Sequence, residues 1–589
     1  MNSNKKGIIK TLKTLWSYIV KNNKKTMIVV TILAFITTAG EIASSVFIQT
    51  LIDSYIVPLI NSTDVSFAPL ISYLIKIGAI MLCGVIAYLV SAELFGLLSE
   101  KVLYDLRRDC FEHTQGLPVS FFDTHSFGEL MGVFTNDMDT ISDVILSSIP
   151  DLFRFSITIV VIFVTMVVVS PLLSLFAVVY VCVILLVMKL LSKRSVKYFR
   201  GNQKTLAALN GYAEESLNAQ KVIKTFCYEE RNKETFEKLN NEWRFNSEKA
   251  HKYTNLYMPI IANISNLLYV LLAVIGVRLA FSENFFLSVG TTIMFLQLSR
   301  SFTGSFINAS NHINNVIRAS AGAERIFKFL SEESEVDNGT KELSDIKGDI
   351  VFKDVNFAYD GKHNVLHDIS LWAHRGEKIA FVGSTGAGKT TITNLLDRFY
   401  DIDSGLITFD GIDIKDIKKS SLRGNIGLVL QDTHLFSGTI KENIRYGRLD
   451  ATDEEVVAAA KLVGADSFIE RLKDGYDTYI NASDTELSMG QRQLLSIARA
   501  AVLNPSVMVL DEATSSIDSE SEMIIQKGMD ALMKGRTVLV IAHRLSTVKG
   551  SAAIMVMEGG RIIERGTHED LLAQHGRYYD LYTGKIELD

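Results

Sequence analysis

The stretch "IAFVGSTGAGKTTITNLL", residues 379–396, decides the fold of the C-terminal part of the chain. An apolar, strand-like run from Ile379 to Val382 meets a glycine-rich loop and then a helix start with apolar residues at helical spacing. This is the pattern GxxxxGK[ST] in the strand–loop–helix setting that gives it meaning. Glycines in such a loop let backbone N–H groups turn inward around phosphate oxygens, and the helix N-terminus adds its partial positive charge. The expected phosphate-binding set is Gly383, Ser384, Thr385, Gly386, Ala387, Gly388, Lys389, Thr390 and Thr391. Within it Lys389 reaches the β- and γ-phosphates, and the Thr390 hydroxyl can ligate Mg²⁺.

A second stretch, "SVMVLDEATSSID" (506–518), supplies the rest of the chemistry. Val507 to Leu510 read as a buried strand ending on Asp511 and Glu512. Neighbouring residues at a strand end point in different directions, so two carboxylates can take two roles. Asp511 is placed to hold Mg²⁺, and Glu512 to polarise the attacking water as general base. A merely solvated strand end is the bland alternative, and the wholly apolar strand before both acids argues against it. Strand-like and helix-like segments alternate from 350 to 589, the pattern of an α/β domain. Before it, "SEESEVDNGTKELSDIKGD" (331–349) is polar and acidic and reads as a linker.

Residues 1–330 differ in kind. The chain of 589 residues is 48% hydrophobic with a mean hydropathy of +0.21, yet 21% charged, which implies an apolar part and a polar part. Windows near 26–52, 72–98, 152–169, 172–191, 256–281 and 287–307 are each long enough to cross about 30 Å of hydrocarbon. The third contains "ITIVVIFVTMVVV" without a charge, and Pro171 marks a very short turn after it. The connections 53–70, 170–171 and 282–286 hold no Lys or Arg, whereas residues 1–25 hold seven lysines. Both termini and the α/β domain are therefore expected on the cytoplasmic side of the cell membrane. Residues 8–20 place Leu12, Leu15, Trp16 and Ile19 on one face and Lys10 and Lys13 on the other, an amphipathic helix lying in the membrane plane. The loops 99–151 and 192–255 are long, polar and helix-prone; as up-and-down pairs their arms reach about 37 Å from the membrane. The four cysteines form no metal-ligand spacing, and a net charge of −6 gives no reason to expect nucleic acid as partner.

With these stretches in view, the chain resembles the ABC transporters of the exporter type, in which a six-span membrane domain is fused to an ATP-binding domain. The resemblance implies a multidomain protein: an all-α polytopic membrane domain with long cytoplasmic extensions, then an α/β P-loop ATPase domain with a helical subdomain. It implies that Tyr359 in "NFAYD" stacks on adenine, that Gln431 in "LVLQDTHLF" links Mg²⁺ and water to the membrane domain, and that His543 in "VIAHRLST" contacts the γ-phosphate. Ser488, Gly490 and Gln491 in "TELSMGQRQ" match the signature that binds ATP held by the opposite subunit, and Asp518 matches the loop that crosses the dimer interface. The regions 117–141, with Phe121, Phe122 and Asp123 near the tip, and 218–230 resemble the two coupling loops that meet the ATPase domains. ATP and Mg²⁺ are the implied cofactors, and a second half-transporter subunit and membrane lipids the implied partners.

Polar residues inside spans are costly and become functional candidates by default. Glu41, Asn263, Asn266, Gln297 and Arg300 form the candidate substrate cavity, with interhelical packing as the alternative reading for each. An acidic cavity residue suits an amphipathic cation, so the expected function is export of amphipathic small molecules of the multidrug type. A lipid flippase or peptide exporter is the alternative in the same mechanical class; an ATP-gated channel is disfavoured by the intact Glu512. The intact Glu512 and His543, the missing Gly-rich stretch in "TYINASDTELSMGQ" (478–491) and "SSID" after Asp511 and Glu512 lean toward a bacterial heterodimer in which this chain brings the catalytic Glu.

Overall fold

The computed structural model describes residues 2–21, 23–60, 67–280, 288–431, 433–481, 487–511, 519–542 and 545–585. They form two compact units, residues 1–115 with 127–332, and residues 116–126 with 333–589.

The first unit is helical. Asn2–Lys21 extends the expected amphipathic helix at its N-terminal end; it buries Leu15 and Ile19 and leaves Trp16 exposed. Four helices run far beyond a bilayer's needs: Ala68–Gln115, Pro171–Asn218, Glu229–Ala280 and Val289–Phe329. The 48 residues of the first of these span about 72 Å at 1.5 Å per residue, so one continuous rod serves as both span and lever. Ser170 alone separates Ile149–Val169 from Pro171–Asn218, and its side chain caps the second helix at Leu173 N. Pro171 suits the first helical position because its missing N–H has no intrahelical partner there.

Among the described residues five helices are long and apolar enough to cross a membrane, not six. The expected sixth crossing, 287–307, lies in Val289–Phe329, which is helical but more polar. The reason is its surroundings. Met294, Phe295, Leu298 and Phe302 sit in a core made with Ile162, Met166, Leu173, Ala177, Leu268 and Leu272, so protein rather than lipid covers much of this helix. Close helix approach elsewhere depends on small residues: a Cβ on Gly84 would stand 3.2 Å from the Gly40 Cα of Lys24–Thr50.

Among its described residues the second unit has twelve strands: β1 (Ile350–Phe357), β2 (Leu366–Ala373), β3 (Lys378–Val382), β4 (Ser404–Phe409), β5 (Ile412–Asp413), β6 (Ile426–Val429), β7 (Gly438–Thr439), β8 (Tyr479–Ile480), β9 (Val507–Asp511), β10 (Thr537–Ile541), β11 (Ala553–Glu558) and β12 (Arg561–Gly566). One sheet has the order β12-β11-β3-β10-β9-β6 and is parallel except at β12; a smaller antiparallel sheet runs β2-β1-β4-β5. The parallel strands are buried on both faces, which is why they read as unbroken apolar runs. Ala380, Val382, Met508, Leu510, Val538 and Val540 point into a core shared with the helices Ile440–Arg445, Asp453–Leu462 and Met489–Leu503. Their alternates Ile379, Phe381, Val507, Val509 and Leu539 pack toward the antiparallel sheet. Residues 333–349 have no regular element beyond one bridge at Lys341, yet they are pinned down. Glu335 accepts from Arg423 at 2.7 Å and Lys419 at 3.0 Å, and the Arg423 guanidinium holds its carboxyl down at about 2.

Candidate functional site

The nucleotide loop is built by strand edges. In the ladder Ile541 lies level with both Phe381 and Asp511, so β3, β10 and β9 end together. The loops that follow these strands therefore leave from one edge of the sheet, where α/β folds bind ligands. Gly388 stands at φ +97° and opens the helix Lys389–Leu396; a Cβ there would lie 2.6 Å from Leu366 Cδ2. At Gly383 a Cβ would collide with the carbonyl oxygen of Met557. These two positions accept no side chain, so the backbone of the loop can approach a ligand closely.

Lys389 is buried, and its Nζ donates to the carbonyls of Gly383 at 2.6 Å and Ser384 at 3.0 Å. Burial lowers its pKa from the ordinary lysine value, while the Asp511 carboxylate pulls the other way. A partly dehydrated ammonium held inside the loop is suited to bind phosphate. Thr385, Gly386 and Thr390 are exposed, Ala387 and Thr391 buried. Tyr359 is 46% exposed; its hydroxyl donates to Thr391 Oγ1 at 3.1 Å, and its ring meets Tyr400 edge-on at 4.9 Å. The free ring face beside the loop can stack on a base. Gln431 is exposed just past the end of β6. Glu512, Asp518, His543 and the stretch 482–486 lie outside the described residues.

Ser488 is the N-cap of Met489–Leu503, and its Oγ accepts from Gln491 N while Gln491 Oε1 accepts from Ser488 N. This reciprocal capping box holds Ser488 at the helix N-terminus, with Met489 exposed and Gly490 buried. The S-x-x-Q spacing is the sequence signal of this capping box.

The short helix Val119–Thr124 belongs to the second unit. Phe121 is buried, Asp123 accepts a hydrogen bond from the Tyr400 hydroxyl, and the Gly116 carbonyl accepts from Glu335 N at 2.6 Å. Burial and the Asp123 carboxylate both push the Tyr400 hydroxyl's pKa up. The other tip, Gln220–Thr225, leaves Leu217, Val222 and Phe226 exposed, the last at 76%.

In the membrane half the structure gathers only part of the expected substrate set. Asn266 and Arg300 line one cavity between Glu229–Ala280 and Val289–Phe329. Glu41, Asn263 and Gln297 are not among its lining residues. Glu41 sits on another helix, Lys24–Thr50, and Asn263 donates to the Pro259 carbonyl at 2.8 Å. Ser265, Ser299, Thr303 and Gly304 line the same cavity and were missed by the sequence reading. Their spacing of three and four residues was the available signal.

Comparison with known proteins agrees with this architecture. Residues 27–306 match the ABC transporter transmembrane region, and residues 366–515 match the family described as ABC transporter. An uncharacterised ABC transporter ATP-binding protein of Bacillus subtilis is 38% identical over 98% of this chain and 94% of its own length. A fatty acid ABC transporter ATP-binding/permease protein of Mycobacterium tuberculosis is 38% identical over 89% of the chain and 83% of its own length. A Staphylococcus aureus protein provisionally named for multidrug export is 36% identical over 82% of the chain and 84% of its own. A solved bacterial Atm1-family ABC exporter with ATP bound superposes with a TM-score of 0.79 at 25% identity, covering 95% of this chain and 98% of that one. The chain therefore belongs to the ABC exporters that fuse a helical membrane region to an ATP-binding domain, and it is an ATPase coupled to transport.

Proposed function

We propose that this multi-pass membrane protein is one half of a dimer that exports amphipathic small molecules, of the multidrug type, by alternating access. In this reading residues 1–330 form the transmembrane domain, 331–349 the linker and 350–589 the ATP-binding domain, with both termini cytoplasmic. The observation that carries it is the shared edge of β3, β10 and β9, where Lys389 and Asp511 act on each other electrostatically.

At that edge Tyr359 would stack on adenine, the backbone of residues 383–391 would cradle phosphate, and Lys389 would take the terminal phosphates. Glu512 would accept a proton from the attacking water, with Gln431 and His543 orienting it. Thr390, Gln431 and Asp511 offer hard oxygen donors that fit Mg²⁺, a cation that uses few protein ligands beside phosphate and water. Bound there, Mg²⁺ would neutralise phosphate charge. Ser488, Gly490 and Gln491 would face ATP held by the partner subunit, with Asp518 crossing between the two. The exposed apolar tip at Val222 and Phe226 supports a second chain as its cover. The intact Glu512 beside an altered signature favours a heterodimer. Lipid export is the second reading, favoured by the relative named for fatty acids.

The test is Glu512→Gln in the purified transporter. Hydrolysis should fall by about 10²- to 10⁴-fold while ATP binding persists. Wild-type turnover in that variant would refute the assignment of the base.

A further inference from the structure

Arg499 lies on the helix Met489–Leu503, eleven residues past its N-cap Ser488 (499 minus 488), or about 16 Å along the axis. Its side chain bonds away from that helix. Nε donates to the Asn443 carbonyl at 2.9 Å, Nη2 to Asn443 Oδ1 at 3.1 Å and Nη1 to the His434 carbonyl at 2.9 Å. Among the described residues no carboxylate pairs with it. Neutral carbonyl oxygens answer the charge instead, at the fixed angles of a guanidinium fork. Two rings add to them: Phe436 and Tyr446 stack on each other at 4.4 Å, and the Arg499 Cζ lies 5.4 Å from each ring centre.

What this fork grips is the loop that carries Gln431. His434 is three residues past Gln431 (434 minus 431), and residues 433–437 between β6 and β7 have no regular element. A segment without a ladder or helix takes its shape from the side chains that bond to its backbone. Here Arg499 holds the His434 carbonyl, and Asn443 holds Phe436 on both sides. Asn443 Oδ1 accepts from Phe436 N at 2.9 Å, and its Nδ2 donates to Phe436 O at 2.8 Å. Asn443 is 2% exposed, and Arg499 is the side chain that meets it from the helix Met489–Leu503. The backbones also touch: a Cβ on Gly447 would stand 2.0 Å from the Arg499 carbonyl oxygen. The segment from His434 to Gly447 is thus seated on the helix that Ser488 caps.

We propose that Arg499 is a positioning residue for hydrolysis: it sets the loop that carries Gln431 from the helix that carries the signature. This role rests on the reading above, in which Gln431 orients the attacking water and Ser488 faces the partner's ATP. Arg499 then joins a residue that serves this chain's own nucleotide to one that serves the other.

The test is steady-state ATP hydrolysis by the full transporter as it assembles in the membrane, held in nanodiscs. The cycle compares wild type, Arg499→Lys, Gln431→Ala and the double variant. Lysine keeps the charge but cannot reproduce the fork. Arg499→Lys should lower kcat about ten-fold, as for loss of hydrogen bonds from a charged donor, and leave KM for ATP within about two-fold. In the Gln431→Ala background the same change should cost less than about two-fold, because no side chain is left to position. An equal loss in both backgrounds marks general damage and would overturn the proposal. So would an unchanged kcat in Arg499→Lys, or a loss confined to KM. Phe436→Leu serves where Arg499→Lys does not fold: it removes one ring from the guanidinium and leaves its three hydrogen bonds. It should lower kcat roughly 2- to 5-fold, and only where Gln431 is present; any other result refutes the role. Failure of the Gln431 reading looks different: Gln431→Ala by itself then hydrolyses ATP at the wild-type rate.

Discussion

Asp397 gives the sharpest quantitative prediction. It follows the helix Lys389–Leu396 directly and is 4% exposed. Arg423 Nε donates to its backbone carbonyl at 3.1 Å, and its Oδ2 has no hydrogen-bond partner among the described residues. Burial pushes its pKa up to about 7, against a smaller opposite pull from the Arg423 charge. An unfolded aspartate titrates near 3.9. Between about pH 4 and 7 the folded protein therefore holds a proton that the unfolded chain has lost. Stability must fall as pH rises through that window and level off above it. Three pH units correspond to roughly 4 kcal/mol. Asp397→Asn replaces the neutral acid with a neutral amide of the same shape and has nothing to ionise. In the full transporter, thermal unfolding of the ATP-binding half should show the variant higher than wild type by about 4 °C at pH 5 and by roughly 10 °C at pH 8. Taking the difference between the two proteins at each pH cancels the titrating groups that share no partner with Asp397, and Glu335, which shares Arg423, is already ionised throughout pH 5 to 8. A difference that does not change from pH 5 to 8, or a wild type more stable at pH 8, would refute the reasoning.

Two further outcomes can be measured directly. Gly84→Val would drive a side chain into the Gly40 backbone and should lower stability of the membrane half by about 1–3 kcal/mol, read as a lower unfolding midpoint in detergent. An unchanged midpoint would show that the two helices do not depend on that approach. Tyr400→Phe keeps the ring against Tyr359 but removes the hydroxyl that donates to Asp123. Transport per ATP hydrolysed should fall roughly 2- to 10-fold, as expected for loss of one hydrogen bond of about 1 kcal/mol; an unchanged ratio would remove this contact from the coupling path.

Much of the nucleotide site was legible because its signals are local. Gly383 and Gly388 announce a tight loop through backbone sterics alone, and Val507–Leu510 announce a strand buried on both faces. The sixth membrane helix was harder, since its polarity reflects neighbours that hydropathy does not see. The segment 331–349 was legible as irregular, but not as a strap held by Glu335 to Arg423 and Lys419. Those partners lie more than 80 residues away.

The sequence by itself determined the two halves of the protein, the phosphate loop and the strand ending on Asp511. Each follows from a run of neighbours whose backbone preferences and side-chain period act at short range. Only the tertiary structure placed β10 between β3 and β9 and brought Lys389 within electrostatic reach of Asp511. It also left Glu41 out of the cavity that Asn266 and Arg300 line. Those facts depend on which faces pack together across long stretches of chain, and packing between distant segments leaves no period in the sequence for a reader to count.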